Sequence, residues 1–116
     1  MNDEVLIDST FLIEMIVEKL KVLRESLTKY EVEDKIKDIT ICINLGEMIL
    51  DDTNYFKEVD ELWEKCAEQY GPEWPLVNQK KFAEWSTKHA IAEREYKKSI
   101  KEFYMFLANY SYDWWL

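Results

Sequence analysis

The chain has 116 residues, of which 47% are hydrophobic, and a formal net charge of -9. This length and hydrophobic content suffice for one domain with its own core, and they exclude the class of highly charged disordered chains. The excess of 24 acidic over 15 basic side chains repels phosphates, so direct binding to nucleic acid or to an anionic membrane is not expected.

The first predicted element is an amphipathic helix over residues 9–29. Three good capping residues, Asp8, Ser9 and Thr10, stand at its start. Apolar residues then recur every three or four positions, as one face of a helix requires. They are Leu12, Ile16, Leu20, Leu23 and Leu27.

The second element is predicted as a helix over residues 33–50, although part of it also fits a strand. Residues 39–45, ITICINL, alternate between apolar and polar side chains. A single strand needs a partner, and only residues 4–7, EVLI, could supply one. We therefore expect a helix here.

A third helix is predicted over residues 54–70 and ends at the clearest break in the chain. The break is GPEWP, residues 71–75, in which Gly71 suits a helix C-terminus and two prolines prevent continuation.

The last predicted helix covers residues 76–110 and has no glycine or proline. At 1.5 Å per residue it would be about 50 Å long, so we expect it to bend near Ser86 and Thr87 or near Ser99, or to project from the domain. The predicted fold class is all-α, with one domain over residues 1–116. It is a bundle of about four helices, and the break at 71–75 divides an acidic part from a neutral-to-basic aromatic helix.

Few side chains suggest catalysis or metal binding. Glu61 and Glu64, three residues apart, resemble half of the motif of all-helical nucleotide pyrophosphohydrolases, which hold Mg²⁺ with two acidic pairs. Downstream, Glu93 and Glu95 are wrongly spaced for the second pair. We expect no catalytic residue, no metal site and no cofactor; a Mg²⁺-dependent nucleotide hydrolase or nucleotide-binding protein is the alternative.

The lone histidine and the two cysteines are predicted to be structural. His89 falls in the apolar stripe of the last helix, where a core or boundary position is expected. Glu93 lies one turn later, but a single pair of ligands is too few for a metal site. Cys42 and Cys66 lie 24 residues apart without a Cys-x-x-Cys motif, so they are predicted to be small core residues.

Residues 47–73 contain nine acidic and two basic side chains. Such a region could contact a basic protein or imitate the phosphates of a nucleic acid, although ordinary solubility explains it without any partner and is the simpler interpretation. The candidate partner-binding residues, here named the acidic band, are Asp51, Asp52, Glu58, Asp60, Glu61, Glu64 and Glu68.

The chain ends in the aromatic-rich sequence FYMFLANYSYDWWL, residues 103–116. Some of its large side chains fall outside the helical stripe. They could fold back on the bundle, form a surface for a second copy or another protein, or touch a membrane interface. The candidate patch consists of Tyr104, Tyr112, Trp114 and Trp115.

The sequence favours a small non-enzymatic protein that binds another protein with a basic surface. Small acidic helical proteins of this profile include inhibitors and immunity proteins of phages and other mobile elements, although no motif is shared. A structural subunit of a larger assembly, hence a homo-oligomer, is a further alternative. Without a secretory signal or a long apolar run, a cytoplasmic location is expected and a membrane location is not.

Overall fold

The computed structural model describes residues 3–30 and 32–114. They form helices and no strand, which confirms the all-α class. The helices are α1 (Asp3–Thr28), α2 (Glu33–Leu50), α3 (Thr53–Tyr70), α4 (Trp74–Val77) and α5 (Gln79–Tyr110), and a 3-10 turn (Ser111–Asp113) follows.

The predicted bounds hold for α2 and, within one residue, for α3. The ambiguous stretch 39–45 is helical. Residues 4–7, the proposed strand partner, lie within α1. The predicted cap at residues 8–10 is wrong, because α1 already includes Asp3 and nothing between residues 3 and 8 breaks a helix. A good capping residue permits a helix to begin but does not force it to.

The last predicted helix is interrupted once, near its start. Asn78 has a non-helical backbone and separates α4 from α5. Its side-chain oxygen accepts a hydrogen bond from the backbone N–H of Lys81 at 3.1 Å, which caps α5. From Gln79 to Tyr110 the helix is continuous, so it is not split near Ser86 and Thr87 or near Ser99, and the bend expected there stays a prediction.

The chain divides into two compact units. Unit 1 comprises residues 1–51 and 99–116, and unit 2 comprises residues 52–98. Unit 1 thus contains α1, α2 and the last part of α5, whereas unit 2 contains α3, α4 and the first part of α5. The single domain proposed from the sequence stays a prediction, which unfolding measurements can test.

The core of unit 1 is mainly aliphatic and closely packed around a glycine. Gly46 lies in α2, and a Cβ atom there would overlap the Val17 side chain and approach that of Phe103 to 3.0 Å. The absence of a side chain allows these neighbours to pack against the backbone of α2. Fully buried aliphatic residues include Ile13, Leu20, Ile39, Ile43 and Ile49.

The buried face of α1 differs from the predicted one. Ile13 and Val17 are almost completely buried, whereas Leu12, predicted to lie in the core stripe, is 52% exposed. Apolar residues occur on several sides of α1, so its periodicity is compatible with more than one inward face. A hydrogen-bonded ion pair between Lys21 and Glu47, at 2.8 Å, joins α1 to α2 and raises the pKa of Lys21.

Unit 2 is built on aromatic rings. Trp74 of α4 is completely buried, with edge-to-face contacts to Trp63 at 4.9 Å and Phe82 at 6.0 Å between ring centroids. Trp85 contacts Trp63 at 4.9 Å and donates its indole N–H to the Val59 carbonyl at 3.1 Å. The rings therefore fix α4 and the first part of α5 against α3.

Candidate functional site

The structure leaves every residue of the acidic band on the surface. Asp51 belongs to unit 1, and the other six belong to unit 2. All seven side chains are exposed. Their exposure agrees with the partner-binding prediction but does not test it, since solvated carboxylates are also ordinary surface groups.

Three members of the band form a stripe along the outer face of α3. At 100° per residue, Glu61, Glu64 and Glu68 project from the same side of the helix. The opposite side carries Val59 and Cys66, which are buried. The packing of the aromatic core thus orients the acidic stripe toward solvent.

Among the described residues, the carboxylates of α3 lack the intramolecular ion pairs that two of the four acids of α5, Glu84 and Glu93, make. Glu84 lies 3.4 Å from Lys81 and 3.8 Å from Lys88, and Glu93 lies 3.0 Å from Lys97. The Lys97 hydrogen bond lowers the pKa of Glu93. Within residues 3–30 and 32–114, no salt bridge involves the acidic side chains of α3. These are Glu58, Asp60, Glu61, Glu64 and Glu68.

Charge is unevenly distributed between the helices of unit 2. α3 has five acidic and two basic side chains, a net charge of -3. Residues 79–98 of α5 have three acidic and six basic side chains, a net charge of +3. The acidic stripe is therefore a local feature of unit 2 and does not simply reflect a uniformly acidic surface.

Members of the aromatic patch have different environments. Trp114 is only 2% exposed and its ring lies 6.5 Å from that of Phe106, so it packs within unit 1. Tyr104 is half-buried, and burial raises the pKa of its phenol. Tyr112 is 79% exposed. Trp115 lies outside the described residues.

The histidine and the cysteines occupy structural positions, as predicted. His89 is partly buried and stacks on Trp85 at 4.9 Å. Both cysteines are buried free thiols, and burial raises the pKa of the Cys42 thiol to about 11. The described part of the chain contains no group of three or more His, Cys, Asp or Glu side chains that could hold a metal ion.

Two features were not predicted from the sequence. Trp74 was assigned only to a helix break, although a large apolar residue between two prolines is a signal for an anchored connection. The second feature is an apolar surface on α1 that includes Phe11 and Met15, which are 60% and 48% exposed. Its signal was the excess of apolar residues in α1 over one helical face.

None of the helices, over the residues described, is long and apolar enough to cross a membrane. No protein-family model, curated protein or solved structure matches the chain. Functional interpretation therefore depends on the surfaces of the molecule itself.

Proposed function

We propose that the protein is a small non-enzymatic binding module that uses the acidic stripe of α3 to contact a basic surface on another protein. The observation that carries this proposal is that the carboxylates of α3 make no salt bridge among the described residues, whereas Glu84 and Glu93 of α5 do. Unneutralised charges keep their long-range attraction for a basic partner and accelerate association.

An inhibitor of a nucleic-acid-binding protein is the form of this function that the stripe supports best. Along α3, the rise from Glu61 to Glu64 is about 4.5 Å and that from Glu64 to Glu68 about 6 Å. These rises are of the same order as the axial rise of 3.4 Å per phosphate along one strand of duplex DNA. A groove lined with Lys and Arg for phosphates could therefore accept the stripe instead.

The test uses three immobilised baits and a lysate of the native host. One bait is the wild type, and the second carries Glu61→Gln, Glu64→Gln and Glu68→Gln. The matched control carries Glu25→Gln, Glu33→Gln and Glu102→Gln, which removes the same charge from exposed positions of unit 1. Captured proteins are identified by mass spectrometry.

We expect a basic protein that the wild type and the control retain and that the stripe variant loses. Its dissociation constant should rise about 10- to 100-fold in the stripe variant, and by less in high salt, because salt screens surface charges. Short duplex DNA should compete with the wild type if the partner binds nucleic acid. Capture of the same proteins by all three baits would show that the stripe is not the binding surface.

A further inference from the structure

An exposed apolar strip runs along α1 in unit 1. Phe11, Leu12, Met15 and Val22 are 60%, 52%, 48% and 63% exposed. Phe11, Met15 and Val22 lie on the side of the helix opposite the buried Ile13 and Val17, and Leu12 lies beside them. Four large apolar side chains on one helix face are typical of a contact surface.

Grooves flank this strip, here named the α1 strip. One groove of about 340 Å³ lies between α1 and the end of α5, where Leu107 lines it together with Leu12 and Met15. A second, of about 370 Å³, lies over the strip itself and is lined by Phe11, Met15 and Val22 together with the charged residues Glu14, Glu18 and Lys19. Both include Met15, so this side chain is bordered by depressions. Side chains of another helix can pack into such depressions.

The charges beside the strip decide what kind of occupant fits. Unit 1 as a whole has 14 acidic and 7 basic side chains, a net charge of -7. Between Phe11 and Val22, by contrast, α1 has two acids, Glu14 and Glu18, and two bases, Lys19 and Lys21. A locally neutral apolar surface gives no advantage to a strongly basic protein or to an anionic membrane, and it does not repel an identical surface.

We propose that the α1 strip binds the α1 strip of a second copy of the chain, with the two helices antiparallel. Phe11, Met15, Glu18 and Val22 follow coiled-coil spacing, at intervals of four, three and four residues, and Glu18 is the charged member of this set. In the antiparallel register, Phe11 faces Val22 of the second copy. Met15 faces the stem of Glu18, whose carboxylate already has Lys21 at 3.5 Å.

Electrostatics favour this orientation over the parallel one. A parallel pair would place Glu18 directly against Glu18 of the second copy, whereas the antiparallel pair sets the two Glu18 residues one layer apart, about 4.5 Å along the axis, each against Met15. In the antiparallel pair, Glu14 lies on the same flank as Lys21 of the second copy, which keeps its own ion pair with Glu47 at 2.8 Å. On the other flank, the aliphatic stem of Lys19 covers Leu12 of the second copy.

The buried area is sufficient for a weak, specific dimer. Four side chains that are each about half exposed, one of them an aromatic ring, offer at most roughly 350–400 Å² per copy. With the bordering stems, the two copies together reach about 1,000 Å², the lower limit for a specific interface. A dissociation constant of about 10–100 µM is consistent with this area.

Sedimentation velocity over about 1–500 µM chain concentration tests the contact. The wild type should shift from the chain mass of 14.1 kDa toward twice that value. Met15→Glu should raise the dissociation constant at least about tenfold, since it buries a charge. Met105→Glu is the matched control, because Met105 is 54% exposed in the same unit but is not on α1. It should leave the dimer intact.

Cysteine cross-linking tests the orientation. Under mild oxidation, Glu18→Cys alone should not cross-link, whereas a mixture of Glu18→Cys and Met15→Cys chains should, because these positions face each other only in the antiparallel pair. The buried Cys42 and Cys66 are shielded from reaction. Efficient self-cross-linking of Glu18→Cys would overturn the antiparallel arrangement.

A monomer at every concentration, or a dimer that Met15→Glu does not weaken, would overturn the proposal. The acidic stripe lies in unit 2, so failure of the dimer leaves the proposed function untouched. Capture of the same proteins by all three baits would, in turn, overturn the proposed function without bearing on the dimer.

Discussion

The two units reach burial by different means. Unit 1 is filled mainly by medium-sized aliphatic side chains and depends on Gly46 for close approach to α2. Unit 2 is filled by few but large rings around Trp74, with a four-residue helix as the support for that ring. The comparison shows two ways to stabilise packed helices. Many small aliphatic contacts share the burial in unit 1, whereas one large buried ring, that of Trp74, is central to unit 2.

The largest expected effect follows from removing the anchor of unit 2. Trp74→Ala should lower the free energy of unfolding by about 3–5 kcal/mol, because it leaves a cavity that fixed rings cannot fill. Chemical denaturation followed by circular dichroism measures this loss. Hydrogen exchange should rise first in residues 52–98.

Trp74→Phe is the matched control for Trp74→Ala, because it keeps a large ring but removes the indole N–H. The indole N–H of Trp74 is buried and finds no hydrogen-bond partner among the described residues, so its removal recovers part of a desolvation cost. The Phe variant should therefore lose clearly less stability than the Ala variant. Equal losses would show that ring volume is not what anchors unit 2.

An intermediate effect is expected at the C-terminal end of unit 1. Trp114→Ala should cost about 2–4 kcal/mol, because the ring is 2% exposed. Tyr112→Ala, at a side chain that is 79% exposed, should change stability by less than about 0.5 kcal/mol. Thermal unfolding of the two variants side by side provides the comparison, and similar losses would contradict the packing of Trp114 within unit 1.

The smallest of the three effects is expected at the close contact in unit 1. Gly46→Ala should cost about 1–2 kcal/mol, because overlap with Val17 outweighs the gain in helix propensity of about 1 kcal/mol. Asn44→Ala, at an exposed position of the same helix, lacks that overlap and should be neutral or slightly stabilising. Denaturant midpoints of the pair measure the difference, and a stabilised Gly46→Ala protein would show that α1 and α2 are not closely packed.

Local sequence signals determined the helical class, the bounds of α2 and α3, and the stop after Tyr70. Apolar spacing sets the period of a helix, and Gly71 with two prolines prevents its continuation. Burial of both cysteines and exposure of the acidic band also followed from residue type, since a thiol is readily buried and a carboxylate without a partner is not.

Only the tertiary structure decided which apolar side chains become core. α1 has more apolar residues than one face can bury, so packing against α2 had to select Ile13 and Val17 over Leu12 and Met15. Similarly, Trp74 becomes an anchor because rings from α3 and α5 surround it. Such choices depend on neighbours that are distant in sequence, and the local pattern contains no information about them.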